Sequence, residues 1–223
     1  SHSDPYPTYS RAERIADAVV HVAGIVFGVV GAIFLVLWAG DQTAGTIAGL
    51  WVYGVALTAS FVASFVYHFT LGNIHALSYA GLTTLDLFEN RGHYTPLVLL
   101  IGSAFAYGIL AIVWGLAAVG VAMKLFFWGR PTRWGVVLYL GLGWLSVTLA
   151  PSLISLVSGL VLGLIVAGGL LYSLGAVVFS LEGLKYQNAI WHSFVLIASA
   201  CFFAAIAWAL SRRADLSIQG MVF

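Results

Sequence analysis

Charge is what this sequence has least of. Only 8% of its 223 residues are Asp, Glu, Lys or Arg, against about 25% in an ordinary soluble domain. A composition that is 61% hydrophobic, with a mean hydropathy of +1.02, leaves too little polar surface to cover a soluble fold of this size. The chain is therefore read as a polytopic membrane protein. Cysteine is nearly absent: Cys201 stands alone in an apolar run, so it reads as a small packing residue, and no intrachain disulfide can form. The net charge of +1 is uninformative about nucleic acid, but there is no basic cluster, so no nucleic-acid partner is expected. The polar start from Ser1 to Pro5 lacks the pattern of a secretory leader. The last apolar run has no lysine in its middle, which excludes a retinal Schiff base; Lys185 precedes that run. Gly141, Gly143, Gly159, Gly163 and the pair Gly168 and Gly169 open no helix after a strand. They are read as close-packing residues, not as a phosphate loop.

What is present is apolar sequence in seven long blocks. After a tail over residues 1–10, Ser10 is placed to cap a helix that begins near Arg11 with Glu13 in its first turn. Apolar spans then run over residues 15–39, 43–69, 76–101, 103–127, 132–149, 153–181 and 187–210, most of them long enough for a hydrocarbon core of about 30 Å. Turns are expected at Gly40–Gln42, around Leu71–Asn73 and at Ala150–Ser152. The fold class is an all-α membrane protein, a seven-transmembrane-helix bundle over 11–211 with a short C-terminal tail over 212–223. Arg11, Arg14, Lys124, Arg130, Arg133 and Lys185 fall on one side of that arrangement, and Arg212 and Arg213 on the other. The positive-inside rule then puts the N-terminus in the cytoplasm and the C-terminus outside.

In that topology four spans carry polar residues at one membrane level. The first has Glu13, Asp17 and His21 at successive four-residue steps, hence on one face. The second ends with Ser64 and His68, and the seventh opens with Asn188 and His192, again four apart. The third carries Asp86, Glu89 and His93 on one stripe, with Asn90 beside it and Arg91 on another face. Ionisable groups at membrane depth are costly and mark functional sites. Imidazoles of His68 and His192 together with a carboxylate form a set that suits zinc, with one position left for water. The same histidines also read as interfacial side chains satisfied by backbone or by each other. The stripe from Asp86 to His93 reads either as part of a site or as a buried ion-pair network that sets helix packing, with Arg91 paired to Asp17 or Glu13 or holding an anionic lipid head. For His21 a structural bond to Asp17 is favoured over membership of the site.

The run from Glu13 to Gly24, the Ser64-x-x-x-His68 pair, Tyr94-Thr95-Pro96, Leu138 to Trp144, Gly168 to Ala176 and Ala189-Ile190-Trp191-His192 together resemble the bacterial haemolysin III-like proteins, in order over residues 11 to about 210. These belong to the progestin and adiponectin Q receptor superfamily. The resemblance implies seven helices, a cytoplasmic N-terminus in a bacterial inner membrane, and a zinc site near the cytoplasmic face. It implies His68 and His192 as ligands and Ser64 as the family serine. It also implies chemistry like that of lipid amide hydrolases, with zinc and serine stabilising an oxyanion. Asn188 stands where the family has its other helix-seven histidine. The family aspartate counts back to Leu82-Thr83, with Asp86 one turn later on nearly the same face. Either the metal is held by a rearranged set, His68, His192, Asp86 and Glu89, or the site is weakened or lost. Two functions remain open: a zinc-dependent hydrolase of a lipid amide or ester linked to membrane lipid homeostasis, and a non-enzymatic membrane regulator whose polar site is structural or binds a lipid or fatty acid. A pore is disfavoured, because the charges gather at one end.

Overall fold

The computed structural model describes residues 9–40, 42–70, 95–96, 98–99, 101–126, 141, 144–181 and 183–218. All regular structure among them is helical: α1 (Arg11–Ala39), α2 (Ala44–Thr70), α3 (Ala104–Phe126), a 3₁₀ turn (Leu145–Leu149), α4 (Ala150–Leu156), α5 (Gly159–Phe179) and α6 (Gln187–Ile218). Four stretches are long and apolar enough to cross a membrane: Arg11–Ala39, Ala44–Val66, Gly159–Phe179 and Gln187–Ser211. Large apolar side chains point away from the protein along them. Leu37, for instance, is 76% exposed, as a lipid-facing residue would be.

The start of α1 follows from its sequence. The Ser10 hydroxyl accepts from Glu13 N, and the Glu13 carboxylate accepts from Ser10 N at 2.8 Å, a reciprocal cap. Two boundaries differ from expectation. The chain does not turn at Ala150–Ser152; Pro151 sits in the first turn of α4, and the break falls at Val157–Ser158. Proline lacks only a donor that a helix start leaves unpaired anyway, so it begins this helix and does not end one. The last helix also runs on past Leu210 to Ile218.

Helix α1 packs against both α2 and α6, and α5 packs along α6. Leu35, Leu50, Tyr53, Leu57, Phe61, Val195 and Ile206 from α1, α2 and α6 form the main core. Glycines let the first two helices approach closely. A Cβ at Gly28 would lie 2.8 Å from Thr58 Oγ1 and 3.1 Å from the Thr58 Cα, and one at Gly24 would strike the Phe61 ring. Gly28→Leu must therefore push α1 from α2. The expected cost is about 1–3 kcal/mol, read as a lower melting temperature in detergent with a thiol-reactive dye reporting exposure of Cys201. An unchanged melt would show that the two helices do not depend on this contact.

Candidate metal centre

Three helices each bring a pair of residues four apart to one place. α1 supplies Asp17 and His21, α2 supplies Ser64 and His68, and α6 supplies Asn188 and His192. Four-residue spacing stacks each pair on one helix face. The close packing of α1 between α2 and α6 turns those faces inward. Asp17, His21, Ser64 and His192 are all buried, His21 completely, while His68 is half-buried.

The polar atoms form a connected network. His21 Nδ1 donates to the Asp17 carbonyl oxygen at 2.8 Å and lies 3.3 Å from the carboxylate Oδ1. His192 Nδ1 donates to the same Oδ1 at 3.0 Å. Ser64 Oγ stands between the other two ring nitrogens, 2.9 Å from His21 Nε2 and 3.0 Å from His192 Nε2. The His21 and His192 rings are 4.1 Å apart between centroids, and His68 lies 5.2 Å from His192 and 5.5 Å from His21. Phe65 and Phe69 flank His21, with ring centroids 6.2 and 6.0 Å away.

One ligand atom from each of Asp17, His21, His68 and His192 can be chosen so that all four lie within 4.8 Å of one another. Ligands held at about 2.0–2.2 Å around a tetrahedral zinc ion are separated by roughly 3.4 Å. A small inward movement of side chains closes that difference. Three imidazole nitrogens and one carboxylate oxygen are also the donor types that zinc takes. The residues present therefore fit a zinc ion.

Of the residues singled out from sequence, Ser64, His68, Asp17, His21 and His192 are brought together. Asn188 lies one turn before His192 on α6, and its side chain hydrogen-bonds Tyr9. Partial burial raises the Tyr9 phenol above its ordinary pKa. Asp86, Glu89, Asn90, Arg91 and His93 lie outside the described residues. Among the described residues the carboxylate at the histidines is Asp17, and His21 is as much a part of the group as the other two. The signal for both was present in the sequence: an acid and an imidazole one turn apart in an otherwise apolar span, as in the other two helices. Glu13, third on that face, does something different. Its Oε1 accepts from Tyr186 N at 3.0 Å, tying the start of α1 to the turn that precedes α6.

Comparison with known proteins agrees with this architecture. The model of the haemolysin-III-related family matches residues 10–203. Hemolysin-3 of Bacillus cereus is 33% identical over 201 residues, covering 87% of this chain and 90% of the relative. The hemolysin-3 homolog of Bacillus subtilis (strain 168) is 29% identical over 210 residues, covering 89% and 94%. The human monocyte to macrophage differentiation factor is 27% identical over 209 residues, covering 87% and 83%. No solved structure matches the chain. With a family match over most of its length and relatives that align nearly end to end, this integral membrane protein belongs to the haemolysin-III-related family, within the progestin and adiponectin Q receptor superfamily.

Proposed function

We propose that this chain is a zinc-dependent hydrolase of a lipid amide or ester, working at the cytoplasmic end of a seven-span bundle with its N-terminus inside and contributing to membrane lipid homeostasis. The Bacillus relatives make a bacterial inner membrane the natural setting. The observation that carries the reading is the clustering of Asp17, His21, His68 and His192 inside membrane-spanning helices. Buried ionisable groups in a span need partners, and convergence of four on one point is what a metal site requires. Asp17, His21, His68 and His192 would hold the ion. Bound there, zinc supplies Lewis-acid polarisation of a substrate carbonyl.

The chain's own residues do the rest. Ser64 Oγ, held between two imidazoles, donates towards a developing oxyanion. The Asp17 carbonyl and carboxylate fix the orientation of the His21 and His192 rings. Phe65 and Phe69 flank His21 and offer an apolar wall to an acyl chain. The test is turnover of a long-chain lipid amide or ester by detergent-purified protein before and after chelation. Chelation should lower the rate by about 100-fold or more, a loss of at least about 2.7 kcal/mol of transition-state stabilisation. Added zinc should restore it. Undiminished turnover by zinc-free protein would defeat the metal reading.

One observation favours a second reading, that of a non-enzymatic membrane regulator. Asp17, His21, Ser64 and His192 already satisfy one another by hydrogen bonds, as a structural polar network would. Absence of turnover together with specific retention of a fatty acid or lipid would select it.

A further inference from the structure

We propose that a pocket at the start of α1 binds an anionic glycerophospholipid of the leaflet in which that helix begins. The pocket lies outside the metal centre, and the proposal stands whether or not the metal reading does.

The pocket has a volume of about 380 Å³ and is lined, among the described residues, by Tyr9, Arg11, Arg14, Ile15, Ala18 and Phe69. Steps of three and four residues put Arg11, Arg14, Ile15 and Ala18 on one face of α1. Asp17 and His21 lie about a quarter-turn round the helix from that face, turned towards α6 and α2.

Charge selects the occupant. Arg11 and Arg14 are exposed. The ion pairs among the described residues are those of Asp17 with His21 and His192, so neither guanidinium is paired with a carboxylate there. Glu13, the acid between them in sequence, uses its oxygens to accept from Ser10 N and Tyr186 N. The helix end itself is already capped by Ser10, so the positive charge of the pocket is that of the two guanidiniums. Each guanidinium can hold two oxygens of a phosphodiester through parallel N–H donors. A headgroup of net negative charge is favoured over a zwitterionic one, whose ammonium would meet the same two cations. The Tyr9 phenol, held by the Asn188 side chain, is a further hydrogen-bonding group at the pocket.

Polarity along the helix selects a lipid over a free anion. From Arg11 to Ala18 the helix rises about 10 Å. The cations stand at its start. Ile15 and Ala18 follow within the membrane-spanning stretch, and Phe69 of α2 forms the deeper wall, 6.0 Å from the His21 ring. Ile15 is 53% exposed, an apolar surface that an acyl chain can cover. A phospholipid has the same order, with its phosphate at the membrane surface and its acyl chains beneath.

The experiment titrates the whole chain, purified in detergent and freed of zinc, with dioleoyl phosphatidylglycerol and, separately, with dioleoyl phosphatidylcholine, which has the same acyl chains. Binding is read by native mass spectrometry. One phosphatidylglycerol should bind about 25-fold more tightly than phosphatidylcholine, since each basic side chain near an anionic membrane surface contributes roughly fivefold. Arg11→Gln combined with Arg14→Gln should abolish that preference and leave phosphatidylcholine binding unchanged. Ile15→Glu keeps both arginines but sets a carboxylate four residues from Arg11, and it should abolish the preference too. Lys185→Gln removes an exposed cation outside the pocket and should leave the affinity unchanged. Equal binding of the two lipids by folded wild type would overturn the proposal, as would a preference retained in both pocket variants. A loss as large in Lys185→Gln would make the effect one of diffuse surface charge and overturn the pocket. Displacement of the lipid by an equal concentration of inorganic phosphate would reveal a site for the free anion and overturn the lipid assignment. Because binding is read without zinc, each of these failures leaves the metal reading standing.

Discussion

His192→Ala should purify with almost no zinc, where the unaltered protein holds about one ion per chain. His192 is 7% exposed, and both its ring nitrogens are engaged, one by Asp17 and one by Ser64. Removing it takes away one of the four donors. It also leaves the Asp17 carboxylate without its 3.0 Å partner. The second effect alone is severe, because breaking a buried pair costs about 3–5 kcal/mol. The variant is therefore compared with His192→Gln, which keeps an amide near Asp17 but offers zinc no imidazole. Both should lose zinc in elemental mass spectrometry. Only the alanine variant should melt much earlier than zinc-free wild type. In wild type, zinc at about 100 times its dissociation constant should stabilise by roughly 2.7 kcal/mol, a rise of about 5–10 °C for a chain of this length. Neither variant should show that rise. Zinc retained by both variants would place the ion elsewhere in the molecule.

The second large effect is a loss that can be repaired. Asp17→Asn should release zinc, and Asn188→His added to it should bring zinc back. Asp17 is the carboxylate at the three histidines among the described residues. Asparagine keeps its volume but is a far weaker ligand for zinc than an ionised carboxylate. Position 188 lies four residues before His192 on the same face of α6. There an imidazole can replace the missing donor from the opposite side of the site. The cost is the hydrogen bond that Asn188 makes to Tyr9, which lies outside the donor set. Recovery of zinc by the double variant would mean that this chain has moved one ligand from the last helix to the first. A double variant that stays empty would make Asp17 an orienting residue for His21 and His192 and not a ligand.

Much of this was legible in the residues because it is local. The Ser10 and Glu13 cap needs only a four-residue window, and it forms as written. The spans of α1 and α2 follow from apolar length, and the pairing of Ser64 with His68 and of Asn188 with His192 follows from helical period. Pro151 misled because proline marks both the end of one helix and the start of another, and only the path of the chain on either side tells which. For His21 the expected bond to Asp17 is present, but whether the residue also belongs to a site is a different question. Periodicity shows that Asp17 and His21 share a face, but not whether that face meets lipid, a neighbouring helix or a site.

By itself, then, the sequence determined that this is a membrane protein, where its first two helices run, and which residues within each helix act together, because those properties depend on composition and on spacing along one chain. Tertiary structure decided which helices meet. It is the approach of α1 to α2 across Gly24 and Gly28, and of α1 to α6 at Glu13 and Tyr186, that carries Asp17 and His21 to Ser64 and His192. Residues 43 and 175 positions apart come within 3.0 Å there. No local rule reaches that far, since such contacts depend on how whole helix faces fit one another.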